Sequence, residues 1–285
     1  MPLNSDLVGA TTNTLTHEVD ARWIMAYAAA LGDFNPLYMD TQQHQVIAHP
    51  VFPVCPEWPV ILDTRNIAAQ QTLLPSEAVR GVHAAHDLHI YKPISAGDTV
   101  ATQATMIGVK AIAPGARYTM RLDTVNKRTN ELLARTYQTG IYRGVEVDGG
   151  TQELEPLPDL PQLVNLAGVA AQEIHVPTGA AHTYTECARI WNPIHTDRAV
   201  ALEAGLPDII LHGTATLALA VSHIVDKFAD GDPSRIKRLG GRFAAMVLMP
   251  STITIQCHLD GNVVSYQVTN EQGELAISQG FVCLS

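Results

Sequence analysis

A segment of this chain occurs twice, at a constant offset of 157 residues, and that repetition constrains the fold more than any other feature. The first copy runs from Tyr27 through Gly32-Asp33-Phe34-Asn35-Pro36-Leu37-Tyr38 to Asp40, and the second from Tyr184 through Ile190-Trp191-Asn192-Pro193-Ile194-His195 to Asp197. Tyr, Asn-Pro, an aliphatic residue and Asp recur in register, whereas Asp33 aligns with Ile190 and Tyr38 with His195. An internal repeat of this kind points to two related folding units that have diverged. The divergence falls on ionisable positions, where a duplicated protein can change its chemistry and keep its fold.

The surrounding pattern repeats a plan. Residues 21–31 are rich in Ala, Met and Trp and predict a helix capped by Asp20. Gly32 and the Asp-Phe-Asn-Pro turn end it, because the residue before Pro is pushed out of the helical region. A Pro-rich run from His49 to Pro59 follows, then strand patterns at 86–91, 99–109, 116–126 and 132–143. Residues 146–165, rich in Gly, Pro and acidic groups, read as a surface linker between an N-terminal half (1–145) and a C-terminal half (166–285). Beyond it come a strand at 173–176, the repeat segment at 184–191, helices at 196–204 and 214–230, and strands at 242–248, 252–259, 263–270 and 274–284. A helix packed on a run of antiparallel strands, twice over, is an α+β architecture.

Composition narrows the function classes. With 46% hydrophobic and 16% charged residues the balance is that of a globular protein, and a net charge of −10 disfavours nucleic acid or an anionic membrane as partner. Cys55, Cys187, Cys257 and Cys283 form neither a CxxC nor a dense framework, so reduced thiols are expected. The start, Met-Pro-Leu-Asn-Ser-Asp, lacks the basic-then-apolar pattern of a secretory signal, and no apolar run reaches the ~20 residues that span a bilayer. The expectation is a soluble cytoplasmic protein. His83, His86 and His89 step by three along a strand whose faces alternate, so they cannot all converge. With no HExxH, Gly-rich nucleotide loop or GxSxG elbow, neither a metal nor a cofactor is assigned.

Asn192-Pro193-Ile194-His195, followed by Leu211-His212-Gly213-Thr214, resembles the hydratase motif of the MaoC-like hot-dog dehydratases, a family that includes R-specific enoyl-CoA hydratases. Residues 241–247 and Gly273-Glu274-Leu275-Ala276 look like that family's closing strands. The segment Gly32 to Tyr38 and the turn 92–98 resemble the degenerate half of its double hot-dog members, so the likeness covers nearly the whole chain. The resemblance implies a double hot-dog fold: two units, each a sheet wrapped around a central helix, paired as a pseudo-dimer. It implies addition of water across the double bond of an enoyl-CoA thioester, or the reverse, with coenzyme A as part of the substrate.

Such chemistry needs an acid/base for water and for the α carbon, and hydrogen bonds to the carbonyl where charge develops. In the family an Asp and a His hold the water, and a glycine amide at a helix N-terminus polarises the carbonyl. Carried over, His195 matches the catalytic His, Asn192 its motif neighbour and Gly213 the carbonyl-binding amide, with Thr214 at the start of that helix. The Asp does not carry over: its position holds Ile190, and Asp33 occupies the equivalent place in a copy that has Tyr38 instead of the His. Asp33 is open to a turn role, Asn192 to stabilising its own turn, His212 to packing the helix entry and Tyr38 to packing as an aromatic. Arg235, Lys237, Arg238 and Arg242 are candidates for the coenzyme A phosphates, or simply a solvated basic turn.

Without the Asp, Glu186, Tyr184 or Asp33 is a candidate second group, or a substrate carboxylate positions the water, as a branched dicarboxylic acyl-CoA such as mesaconyl-CoA would. Two other functions stand beside hydration: an acyl-CoA thioesterase, and a non-catalytic acyl-CoA-binding protein. A pseudo-dimer needs no second chain, and a homo-oligomer stays open.

Overall fold

The computed structural model describes residues 2–67 and 73–285. The first half runs β1 (Leu3–Asn4), β2 (Leu15–Val19), α1 (Ala21–Ala30), α2 (Pro36–Met39), α3 (Val54–Asp63), α4 (Pro75–Ala78), β3 (Gly81–Ile90), β4 (Asp98–Ile112), β5 (Gly115–Asn126) and β6 (Leu132–Arg143). Two short strands follow, β7 (Val147–Asp148) and β8 (Gln152–Glu153). The second half runs β9 (Ala171–Val176), α5 (Ala180–Ala188), α6 (Arg198–Glu203), α7 (Gly213–Phe228), β10 (Ile236–Phe243), β11 (Ser251–Asp260), β12 (Val263–Thr269) and β13 (Leu275–Leu284).

One sheet of 11 strands unites the halves in the order β2-β4-β5-β6-β3-β10-β13-β12-β11-β9, with β8 added to β4. Either side of the β3–β10 seam the order is the same, so the sequence repeat is a repeat of topology. The seam is antiparallel, Arg238 facing His89 and Arg242 facing Ala85. Arg238 also clamps it, donating two hydrogen bonds to Asp87 at 2.8 and 2.7 Å.

α7 is the central helix of the second half. Leu217, Ala218, Val221 and Ile224 are fully buried in a core that also contains Tyr27, Phe52 and Leu88 of the first half. Each large side chain buried this way contributes roughly 1.5–3 kcal/mol. The first half's central helix, α3, is cut from the Pro-rich run, which the sequence pattern does not mark as helical. Pro56 falls in its first turn, where a missing N–H is tolerated, and Pro59 lies inside it. Burial of Val54, Cys55 and Val60 offsets the lost bond, but α3 stops at 10 residues against 16 for α7.

Asp20 caps α1 by accepting from the Trp23 amide. α1 packs on α5 across the halves: Trp23 Nε1 donates to the Cys187 carbonyl, and the rings of Tyr27 and Tyr184 lie 5.6 Å apart. The strand expected at 242–248 instead occupies Ile236–Phe243, because its pairing is set by β3 and β13. In the linker β7 pairs with β1 and β8 with β4. Among the described residues, no helix is long and apolar enough to cross a membrane.

Candidate active site

α5 ends in a left-handed Arg189 (φ 59°), which turns the chain into the repeat loop. Pro193 then opens a tight turn in which the Asn192 carbonyl accepts from the His195 amide at 3.1 Å. This turn carries the His195 imidazole onto the start of α7. There its Nδ1 lies 2.8 Å from the Ile210 carbonyl, and its ring stacks on His212 at 3.7 Å and 26°. A carbonyl only accepts, so Nδ1 bears the proton and Nε2 keeps a lone pair. Nε2 has no hydrogen-bond partner among the described residues and is not sealed in.

Burial lowers His195 to about 4, outweighing the opposite pull of the Ile210 carbonyl. His212 is pushed well below its ordinary value by burial and then by the neighbouring His195. Both rings are therefore neutral at physiological pH, as a stacked pair must be to avoid repulsion. His212 Nε2 lies 3.2 Å from the Thr185 hydroxyl. The Ile190 carbonyl is near enough to influence the His212 ring but outside hydrogen-bonding geometry, so Nδ1 is buried without a partner.

His212 is the N-cap of α7, and its carbonyl accepts from both the Ala215 and the Thr216 amides. The two amides before them, on Gly213 and Thr214, have no acceptor among the described residues. Free amides at the head of a helix, reinforced by its dipole, are a site for an oxygen that gains negative charge. Gly213 is a glycine for space: a Cβ there would come within 3.1 Å of the Phe243 ring. The Thr214 hydroxyl accepts from Tyr184 at 3.2 Å, and the Tyr184 hydroxyl lies 3.3 Å from that of Tyr27. Burial raises both phenols, so they remain protonated. The two tyrosines that recur in the sequence repeat thus meet and brace the first turn of α7.

Asn192 is half-buried, and its side chain makes no capping bond. Ile190 is 5% exposed, packed in the core. Glu186 faces solvent with Trp191 Nε1 at 3.4 Å, so among the candidate second groups only Tyr184 is at the site. Asp33 is elsewhere. It accepts from the Asn35 amide and lines a cavity with Ser222, His223 and Asp226 of α7. At ~1.5 Å per residue, Asp226 is roughly 20 Å along the helix from Gly213. Tyr38 is fully buried.

The first half also lacks free amides at its central helix. Val54 and Cys55 donate to the Val51 and Phe52 carbonyls, and Pro53 and Pro56 have no N–H. Among the four cations, Arg238 is committed to Asp87 and the Asp159 carbonyl, Arg235 pairs with Asp230, and Lys237 donates to the Ser234 carbonyl. Arg242 is exposed beside Phe243. His83 and His86 do converge, with rings 5.4 Å apart, because a bulge between His83 and Ala85 breaks the alternation; His89 packs on Tyr137 instead. No described group of three or more His, Cys, Asp or Glu has the geometry to hold a metal.

Fold and site together define a double hot-dog protein in which one half keeps free amides at its helix head with an imidazole beside them, and the other half has those amides spent. Residues 168–279 match the MaoC like domain, and residues 6–135 match the FAS1-like dehydratase domain region. The second half thus carries a MaoC like domain and the first a FAS1-like dehydratase region. Peroxisomal multifunctional enzyme type 2 of Mus musculus is 26% identical over 206 residues, covering 72% of this chain but only 28% of that protein. Enoyl-CoA hydratase 2, peroxisomal, of Arabidopsis thaliana is 24% identical over 207 residues, covering 70% of this chain and 67% of that protein. A MaoC-like dehydratase from Phytophthora capsici superposes with a TM-score of 0.84 at 19% identity, over 98% of this chain and 97% of that one, a likeness of fold.

Proposed function

We propose that the protein is a hydro-lyase that adds water to an enoyl-CoA thioester or removes it from the 3-hydroxyacyl product. The observation that carries this reading is a neutral His195, with its Nε2 lone pair open, beside two unsatisfied amides at the head of α7. In the hydration direction Nε2 takes a proton from water, and the water oxygen bonds to the β carbon. The electron pair of the double bond moves to the thioester oxygen, which rests on the Gly213 and Thr214 amides. With Ile190 in place of an acid, the same imidazole returns the proton to the α carbon, so H and OH add in balance. Relatives named as enoyl-CoA hydratases support the assignment.

A base held near 4 is weak for this task, since a general base works best near the operating pH. A substrate carboxylate beside the ring would raise it, supplying the charge that an Asp at 190 would have supplied. That favours a branched dicarboxylic acyl-CoA such as mesaconyl-CoA over a simple linear one. The exposed Arg242 and Lys237 are the cations left to meet the coenzyme A phosphates. Crotonyl-CoA and mesaconyl-CoA, followed by the absorbance of the conjugated thioester and a free-thiol assay, test the proposal. Loss of absorbance without free thiol, faster with mesaconyl-CoA, is expected. Thiol release would make it a thioesterase, and silence with both substrates a binding protein.

A further inference from the structure

We propose that the Thr214 hydroxyl is a third donor to the thioester oxygen, beside the two free amides, and that a hydroxyl chain beginning at Tyr27 aims and polarises it. The role rests on the hydro-lyase reading of the site. Tyr27 and Tyr184 meet at 3.3 Å, and Tyr184 donates to Thr214 at 3.2 Å. A phenol has one proton to donate. Tyr184 spends its own on Thr214, so Tyr27 must donate to Tyr184, and the chain runs one way, from Tyr27 to Thr214. Burial keeps both phenols protonated, so neither loses the hydrogen that sets this direction.

The chain ends on a hydrogen that no group in the protein takes up. Thr214 accepts from Tyr184, and its own O–H has no acceptor among the described residues. A helical threonine often bonds to the carbonyl four residues back, as Thr216 does to His212. For Thr214 that carbonyl is Ile210, which receives His195 Nδ1 at 2.8 Å, and no bond from Thr214 reaches it. Side chains on a helix lean toward its N-terminus, so a hydroxyl on the second residue of α7 lies on the side to which the free Gly213 and Thr214 amides point. Thr214 is half-buried, within reach of a substrate oxygen held by those amides. A hydroxyl that itself accepts a hydrogen bond is a better donor, by roughly 10–30% per bond in the chain.

Packing fixes both phenols. Tyr27 meets the Phe52 ring edge-on at 5.5 Å, Tyr184 lies 5.0 Å from the His212 ring, and neither is more than 1% exposed. Tyr27 belongs to the half whose own central helix has its amides spent, so its recurrence in the repeat serves the other half's site. Tyr27 and Tyr184 are positioning residues, and of the three only Thr214 touches the substrate. A mere brace for the first turn of α7 would affect stability and leave turnover alone.

Steady-state hydration of whichever of crotonyl-CoA or mesaconyl-CoA the parent turns over, with circular dichroism on each variant, tests the chain. Thr214→Val keeps the side-chain shape and removes the hydroxyl. Its kcat should fall about 10- to 100-fold with KM within about twofold, since the lost bond is to charge that develops in the transition state. Thr214→Ser should return kcat to within about threefold of the parent. Tyr184→Phe should cost about three- to tenfold on its own and nothing further in the Thr214→Val background, because its effect passes through that hydroxyl. Tyr184→Phe leaves Thr214 in place, so it reports even where Thr214→Val does not fold. A folded Thr214→Val within about threefold of the parent, a Thr214→Ser no better than Thr214→Val, an unchanged Tyr184→Phe, or full additivity of the two changes would each overturn the proposal. A parent that hydrates neither thioester would instead overturn the hydro-lyase reading, and the role of Thr214 with it.

Discussion

Gly213→Pro removes the amide hydrogen on which the thioester oxygen is proposed to rest, and its surroundings accept the change. The preceding His212 sits at φ −59°, ψ 136°, the extended region that a following proline requires. Residue 213 is the first of α7, where proline is favoured, and its amide has no acceptor among the described residues to lose. The nearest neighbour of the new Cβ is the Phe243 ring at 3.1 Å, and that half-buried ring need move only a few tenths of an ångström. Gly213→Ala introduces the same Cβ and keeps the N–H, so the pair compares an amide donor with a proline ring methylene in its place. Losing one oxyanion donor costs about 10²–10³ in kcat, or about 2.7–4 kcal/mol. The Thr214 amide remains, which places the expected loss near the lower end. Enoyl-CoA hydration and thermal melts should show Gly213→Pro about 10² slower than Gly213→Ala, with both within about 1 kcal/mol of the parent in stability. Turnover of the two variants within about threefold, both folded, would mean that the amide does not stabilise the transition state.

Three further outcomes follow from buried charges. Glu57, 1% exposed and bonded to Thr136, is raised to about 7 by burial, so the unfolded chain ionises first and stability falls between about pH 4.5 and 7. Glu57→Gln should remove that slope in urea melts and add about 3 kcal/mol above pH 7. Burial pushes Asp87 up, but its bonds to Arg238 outweigh this and hold it low, so the pair stabilises above the usual Asp range and fades as pH falls through the lowered value. Arg238→Ala should cost roughly 2–3 kcal/mol at pH 7 by urea melts, discounted for partial exposure from the cost of breaking a buried pair. Ile190→Asp should lower the melting temperature yet raise kcat/KM on crotonyl-CoA by about an order of magnitude, below the ~10²–10⁴ of a fully positioned acid/base.

The repeat of Tyr27 and Tyr184 foretells two equivalent units, and the matching strand order on each side of the β3–β10 seam gives it a structural meaning. The helix beginning at Ala21 is legible because its cap and its terminating glycine are local signals. α3 is not, because its prolines argue locally against a helix that only tertiary burial sustains. The convergence of His83 and His86 is hidden because a bulge changes the period of the strand. At the site, Tyr27 could have been singled out from its recurrence in the repeat, whereas Thr185 and Phe243 act through contacts between distant segments and leave no mark in the pattern. The distance between Asp33 and His195 has the same origin: two halves of one motif, on loops that lie against opposite ends of α7, cannot be told from two halves of one site until the helix between them is placed.

In the proposed reaction one imidazole, freed by the tautomer that Ile210 imposes, carries the acid/base work. Steady-state turnover of His195→Ala on whichever of crotonyl-CoA or mesaconyl-CoA the parent protein hydrates tests it most directly. A loss of about 10²–10⁴ in kcat is expected. Circular dichroism should match the parent's while the melting temperature falls, since His195 is buried, stacks on His212 and bonds to the Ile210 carbonyl. Unchanged turnover by the folded variant would rule out His195 and place the acid/base group elsewhere.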